Sequence, residues 1–336
     1  DYSHAEVRDT YPDLIEAAEF PVVDTSAAAL LRLARSVREN GYKVALTGEG
    51  SDEFLAGYPW FKIHRAMSAI EVLPGVRIGN WLRAAGLRLS GSPHFPIRFL
   101  REAQDYVGGH NGWLDLYGIM SLSKLRFYNE DLKRDLVQRT PYAELGLNRE
   151  KMARWHPFHR GILLGARIML AGHLLASKGD RVAMWNSVEL RPPFLDEDLV
   201  GFTNRLHPRW KLRRFTEKYI LRKMAEKWVP RQIARRTKKM FRAPMDSFHL
   251  IGPDRPAWID QVMSPESLRK TGYFDPEAVK KYREAIPKMR SSLAKTGIEM
   301  GLAAVTATQL WHHLFISGDL ADLRSNVGQA SRPVLV

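Results

Sequence analysis

The seven residues Thr47-Gly48-Glu49-Gly50-Ser51-Asp52-Glu53 combine two glycines with three carboxylates. Glycines allow a tight turn where a strand ends and a helix begins. Backbone N–H groups at such a turn converge on an anion, and the helix dipole assists them. Three acids would repel a bare phosphate. The two features agree if a divalent cation bridges carboxylate and phosphate, or if one acid handles the proton of an incoming nucleophile. Mg²⁺ with a triphosphate fits, because that ion is commonly held by one or two carboxylates plus phosphate oxygens. The plain alternative is an ordinary capped turn with acids favouring a helix start. A second group, Asp180-Arg181 followed by Ser187 to Asp196, sets alternating charges against the Pro192-Pro193 corner. It reads as a buried ion-pair scaffold. Glu189 and Arg191 lie on one side of an extended segment, and Asp180 and Arg181 bond backbone or each other. The third group runs from Lys218 to Arg222, past Pro230, to Arg235-Arg236-Thr237-Lys238-Lys239. A lysine on such a loop can neutralise charge on a phosphoryl group in the transition state. A solvated charge run is the plain alternative.

The chain carries 51 Lys+Arg against 37 Asp+Glu, a net charge of +14. Between Arg205 and Arg242 only Glu217 and Glu226 oppose a dense run of lysine and arginine, so nearly the whole excess sits there. Such a field draws polyanions: nucleic acid, pyrophosphate, nucleoside triphosphate or acidic lipid. Tyr219, Ile220 and Trp228 read as the buried stripe of one helix rather than as stacking platforms. There is no cysteine. Disulfides, thiolate zinc sites and cysteine nucleophiles are excluded, and a reducing compartment is fitting. Gly161 to Leu175, the most apolar stretch, is broken by Arg167 and His173. It is shorter than the roughly 18–20 apolar residues of a membrane span and reads as a buried helix. The polar start, Asp1 to Asp9, carries no signal-peptide pattern. The first residue is not Met, so a fragment, a processed product or part of a longer chain is expected.

These groups need elements to hold them. Asp24, Thr25 or Ser26 caps a helix to about Asn40, and Gly41 stops it. Lys43 to Thr47 reads as a short buried strand. After the glycine turn, Ser51 or Asp52 caps a helix that Gly57 and Pro59 soon interrupt. Helix, strand, turn, helix is the rhythm of an α/β fold with parallel strands. Beyond about residue 60, helical patterns cover Trp81–Leu89, Trp113–Leu122, Arg160–Ala176, Asp196–Leu206, Thr216–Val229, Pro276–Ile286 and Ile298–Ile316. The fold class is α/β, mainly helical. One domain spans residues 1–325, with an α/β element to about 65 and a helical region from about 66, before a frayed end at 326–336. One or two strands are visible where a doubly wound sheet has about five, so part of the sheet is expected to be missing.

Taken in order, VALTGEGSDEFLAGY (Val44 to Tyr58), DRVAMWNSVELRPPFLD (Asp180 to Asp196) and KYILRKMAEKWVPRQIARRTKKMF (Lys218 to Phe241) resemble the synthetase domain of glutamine-dependent asparagine synthetases. Their relatives are the β-lactam synthetases and the asparagine-synthetase-like amidotransferases and cyclases. The resemblance implies an adenine-nucleotide α-hydrolase-like, doubly wound parallel element that uses ATP and Mg²⁺. A substrate carboxylate becomes an acyl-adenylate, pyrophosphate leaves, and ammonia made from glutamine displaces AMP. By position, Thr47 and Gly48 contact ATP, with Gly50 and Ser51 in the same turn. Glu49 stands beside the adenylate and helps take the amine proton. Asp52 holds Mg²⁺ and pyrophosphate, and Lys238 (Lys239 if the register shifts by one) stabilises the α-phosphate. Asp180, Arg181, Glu189 and Arg191 are candidates for the site wall. Glu49, where β-lactam synthetases carry Tyr, favours an asparagine-synthetase-like amide former.

The sequence also departs from that pattern. No Ser-Gly-Gly-x-Asp-Ser loop lies upstream of Glu49, and no cysteine can serve a glutaminase. Leu55-Ala56-Gly57-Tyr58 replaces Phe-Gly-Gly-Tyr, and Met240 stands where many relatives have Gly. The implied partners are a small carboxylate substrate, ammonia, and the missing glutaminase and phosphate-loop segment in cis or in trans. A homodimer is allowed, neither membrane nor nucleic acid is implied, and the implied location is cytoplasmic. The central expectation is spatial: Asp52 and Lys238 face one pocket.

Overall fold

The computed structural model describes residues 3–70, 97–114, 124–138, 141–238, 255–290 and 292–323, with Leu82 and Ala85. Helix α1 (His4–Ala18) opens on a capping box, in which Ser3 Oγ accepts from the Glu6 N–H and the Glu6 carboxylate accepts from the Ser3 N–H. Such reciprocal bonds satisfy donors that a helix start leaves free. Its buried face carries Val7, Tyr11, Leu14 and Ile15. Helix α2 (Ser26–Glu39) starts where Asp24 Oδ1 accepts from the Ser26 N–H at 3.0 Å, and Gly41 follows it at φ +85°. Ala27, Ala28, Leu31 and Ala34 are its buried face. Both helices join one apolar core with Ile259, Leu268, Val279, Leu302 and Leu310 from the C-terminal helices. The C-terminal patterns appear as helices Pro276–Ala285 and Leu293–His312.

Strand β1 (Val44–Leu46) pairs in parallel with β2 (Glu189–Arg191), in the register Val44 to Glu189, Ala45 to Leu190 and Leu46 to Arg191. These two strands are the sheet among the described residues. A wider doubly wound sheet is therefore not seen there. Nor is β1 the buried strand its apolar sequence suggests. Val44 is 40 % and Leu46 75 % exposed, while Ala45 and Leu190 turn inward onto Ala34, Ala183 and Val188.

The Arg160–Ala176 pattern lies inside one longer helix, Pro157–Met184. His156 Nδ1 accepts from the Phe158 N–H at its start. Its middle, Gly165–Asp180, is wound wide, with i→i+5 bonding. Gly165 is required there, because a Cβ would lie 2.5 Å from the Trp113 ring. By length and composition this helix could cross a membrane, and a third of its most apolar stretch is buried. That differs from the shorter, interrupted and buried segment expected from sequence. Phe158, Ile162 and Leu164 from its first turns pack with Phe61 of α4 (Pro59–Ile70), Trp113 and Leu212 in a second core.

Asp196 caps the next helix, Glu197–Arg205, through bonds from the Asp198 and Leu199 N–H groups, as its position after the Pro-Pro corner suggests. The Thr216–Val229 pattern shrinks to Tyr219–Ala225, which has no fully buried residue, and Trp228 is 80 % exposed. The expected buried stripe of Tyr219, Ile220 and Trp228 is therefore absent. Most of the predicted helix Trp81–Leu89, most of Trp113–Leu122 and the 326–336 end lie outside the described residues, Leu82 and Ala85 being helical.

Candidate active site

The strand pairing brings the first two sequence groups together. Thr47 extends the ladder by donating its N–H to the Arg191 carbonyl at 3.1 Å. The chain then turns through Gly48, Glu49 and Gly50 into α3 (Ser51–Phe54). Gly50 has φ +90°, and a Cβ there would meet Leu195 Cδ2 at 2.3 Å, so only glycine suits the position. Glu53 is spent on this turn. It is buried, accepts from the Gly50 N–H at 3.1 Å and from the Tyr58 hydroxyl, and burial pushes its carboxyl up. The Tyr58 hydroxyl is pushed above its ordinary range by burial and by Glu53. The three acids thus divide: Glu53 holds the turn, while Glu49 and Asp52 remain for other work.

Asp52 is gripped by two lysines. Lys238 Nζ donates to its Oδ2 at 3.0 Å, and Lys218 Nζ lies 3.0 Å from its Oδ1. Lys218 also donates to Ser51 Oγ at 2.9 Å, while Ser51 donates to the Gly48 carbonyl at 2.8 Å. Gly57 makes this packing possible: a Cβ there would stand 1.8 Å from Asp52 Oδ1 and 2.5 Å from Lys218 Cε. Ala56, where the family pattern has Gly, takes a left-handed φ of +59°. The structure thus joins Asp52, Ser51 and Lys238 across 186 residues of sequence. Lys239 lies outside the described residues.

Arg222 positions the lysine loop. Its guanidinium donates to the Ala234 and Arg236 carbonyls, both at 2.9 Å, and to Glu217 Oε1 at 2.5 Å. Glu217 is buried and also pairs with Lys62 at 2.6 Å. Burial alone would raise its carboxyl, but Lys62 and Arg222 outweigh it and hold it low. Much of the basic run is therefore engaged within the protein: Arg222 here, and Lys223 and Arg235 on Glu226. A cavity of about 760 Å³ opens beside this network, with Lys218, Arg222, Arg236 and Lys238 in its wall.

The second group behaves differently. Glu189 and Arg191 pair at 2.8 Å, but both are exposed rather than buried. Each lowers or raises the other: Arg191 draws the Glu189 carboxyl down and Glu189 draws the Arg191 guanidinium up. Arg181 donates to the Ala18 carbonyl at 2.8 Å, closing the end of α1, and Asp180 is exposed. Nearby, Lys178 donates to Asp24 Oδ2 at 2.6 Å and to Ser26 Oγ at 2.7 Å. Burial opposes ionisation of Asp24, yet His173, Lys178 and Ser26 hold its carboxyl well below the usual range. No side-chain bond among the described residues joins Asp180, Arg181, Glu189 or Arg191 to Glu49 or Asp52.

Lys218 is the residue that sequence reasoning left without a role. Its signal was weak: a lysine at the head of a helix looks like any surface cation. The structure places it with a left-handed φ of +50° and bonds its N–H to the Leu55 carbonyl, which aims the side chain at α3.

One buried atom bears on what fits here. Glu49 Oε2 is enclosed without a hydrogen-bond partner among the described residues. An enclosed carboxylate oxygen, a second carboxylate flanked by two ammonium groups, and a wall of arginine and lysine suit an anion accompanied by a cation or a protic nucleophile. Among the described residues, no three metal-ligating side chains cluster. Both Asp52 oxygens lie 3.0 Å from a lysine ammonium, so an Mg²⁺ here would have to be held chiefly by phosphate oxygens and would displace a lysine from the carboxylate, rather than sit in an all-protein cage.

Comparison with known proteins identifies a family. The asparagine synthase family model matches residues 1–313. Amidase chyE of Penicillium rubens is 28% identical over 307 residues, covering 83% of this chain and 43% of that protein. A putative glutamine-hydrolyzing asparagine synthetase of Mycobacterium tuberculosis is 28% identical over 244 residues, covering 70% of this chain and 34% of its own length. Asparagine synthetase [glutamine-hydrolyzing] 1 of Bacillus subtilis is 26% identical over 270 residues, covering 78% and 40%. The chain belongs to the asparagine synthase family. It spans less than half the length of these relatives.

Proposed function

We propose that the chain is the synthetase part of an ATP-dependent amide-forming enzyme. In this reading a substrate carboxylate oxygen attacks the α-phosphorus of ATP and the bond to pyrophosphate breaks. Nitrogen then attacks the acyl carbon, the bond to AMP breaks, and Glu49 takes the proton released from nitrogen. The observation that carries the reading is the clasp of Asp52 between Lys218 and Lys238, beside a cationic cavity. Lys238 is set to meet charge developing on the α-phosphate, and Lys218 holds Ser51 and the pyrophosphate side of the turn. Asp52 would hold Mg²⁺, which when bound would screen the leaving pyrophosphate.

The open β1 edge supports a further point. Leu46, Tyr42 and Leu33 are 75 %, 66 % and 58 % exposed, so apolar surface flanks a strand with unpaired backbone groups. We assign this surface to the segment, in cis or in trans, that carries the phosphate loop, with a glutaminase supplying ammonia. A cytoplasmic location, where ATP is supplied, suits this reading.

Two acceptors compete. Free aspartate makes it an asparagine synthetase. The amidase-named relative from Penicillium favours an amidotransferase acting on another carboxylic acid. ATP–pyrophosphate exchange by the whole enzyme tests both. Aspartate-dependent exchange supports the first and exchange only with other acids the second. Losses of about a hundredfold are expected in exchange for Lys238→Ala and in overall amide formation for Glu49→Ala, the scale of one preorganised charge-stabilising donor. Exchange that survives Lys238→Ala, or amide formation that survives Glu49→Ala, removes that residue from the chemistry.

A further inference from the structure

A second cavity, of about 360 Å³, lies between the start of the long Pro157–Met184 helix, helix Glu197–Arg205 and α3. His159, Ile162, Leu163 and Ala166 present one helical face to it, at the i, i+3, i+4, i+7 spacing. Phe54 closes it from α3. Phe54 follows Asp52 by two residues, half a helical turn around α3, so the cavity lies behind the helix whose other face meets Lys218 and Lys238. Among the described residues, no carboxylate lines it.

Lys211 reaches this cavity from the short helix Pro208–Lys211. It is fully buried, and among the described residues its Nζ has no hydrogen-bond partner. His159 Nε2 is likewise enclosed without a partner. Burial draws the Lys211 amine down to about 8. Burial, with Lys211 and two further histidines nearby, draws His159 down to about 4. At neutral pH this is one ammonium beside a neutral imidazole. An unpaired buried ammonium is costly, and an aliphatic residue would fill the same space at less cost. The charge therefore calls for a counterion that enters from solution.

We propose that this cavity binds a small monocarboxylate with an apolar body, its carboxylate on Lys211 Nζ and His159, and its body against Phe54, Ile162 and Leu163. One cation matches one carboxylate charge, whereas a phosphate dianion would lack, among the described lining residues, the arginine that usually meets it. The volume suits an aryl- or branched-chain acid. The inference stands whether or not the ATP reading of the Asp52 clasp holds.

Titration calorimetry of the protein with phenylacetate, phenylacetamide and inorganic phosphate tests it. Saturable phenylacetate binding is expected, with phenylacetamide and phosphate much weaker. Lys211→Met should weaken phenylacetate by about tenfold or more, the effect of one charged hydrogen bond. This variant removes an unpaired buried charge and so should fold at least as well. Ala166→Phe, which fills the cavity while leaving Lys211 in place, should also abolish binding. The proposal is overturned if phenylacetate does not bind, if its amide or phosphate binds as tightly, or if both variants bind it undiminished.

Discussion

Gly57 carries the most exacting constraint on the clasp, and Gly57→Ala tests it with a single methyl group. The added Cβ would lie 1.8 Å from Asp52 Oδ1 and 2.5 Å from Lys218 Cε, where real contacts stay above 3.0 Å. Gly57 is not in the left-handed region, so backbone strain does not enter and the effect is displacement alone. The Lys218 stem can swing aside, but the Asp52 carboxylate is fixed on α3 and must move by about 1 Å or more. A misplacement of that size commonly costs about a hundredfold in rate, or about 2.7 kcal/mol of transition-state stabilisation. In ATP–pyrophosphate exchange by the whole enzyme, Gly57→Ala should lower kcat/KM on that scale. The thermal midpoint should fall by less than a comparable clash in a closed core would cause, because the Lys218 and Asp52 side chains are only partly buried, 18 % and 17 % exposed. An exchange rate equal to that of the unaltered enzyme would show that Asp52 does not need its observed position, and the proposed pyrophosphate role would fall with it.

Lys218→Ala should reduce the same exchange by about a hundredfold, and Lys218→Met should not restore it, since packing is retained without the charge; activity in the methionine variant would make Lys218 a spacer. Glu217→Ala leaves Arg222 and Lys62 facing an emptied buried site and should cost about 3 kcal/mol of unfolding free energy in denaturant melts. An unchanged midpoint would mean the triad is not stabilising. Asp24 gives a pH signature. Its folded carboxyl lies below the unfolded value of about 3.9, so its stabilisation is full above that value and is lost as pH falls through the depressed folded one. Asp24→Asn should therefore show a flatter loss of stability on acidification than the unaltered chain, and parallel acid profiles would contradict the assignment.

The turn was legible because its chemistry is local. Two glycines and three acids within seven residues state both the geometry and the charge problem, and the strand before and helix after them follow from short-range pattern. Asp196 was equally legible as a cap, its side chain acting on the residues beside it. The buried strand was misread, since apolar sequence records the wish to be covered, not what covers it: Val44 and Leu46 are open because their partner surface is not supplied by the described residues. Trp228 failed for a related reason. Its spacing from Tyr219 is helical, but the helix ends at Ala225 and the tryptophan falls beyond it. Glu189 and Arg191 pair as their i, i+2 placement suggests, yet alternation cannot say which side of a strand meets solvent. Lys218 and Lys211 show the limit most plainly. Within a run of lysines and arginines, two touch Asp52, one is buried, and others lie in solvent. Only long-range packing separates them.

The pairing of Val44 with Glu189 has a kinetic corollary. It closes a loop of well over a hundred residues, most of them helical, and such distant contacts are entropically slow to form. Helices can assemble on either side of that loop before β1 and β2 meet. On refolding, helical circular dichroism should recover before the glycine turn acquires its shape. A chain interrupted at that stage would carry nearly its full helix content while still lacking the shaped glycine turn and the clasp on Asp52.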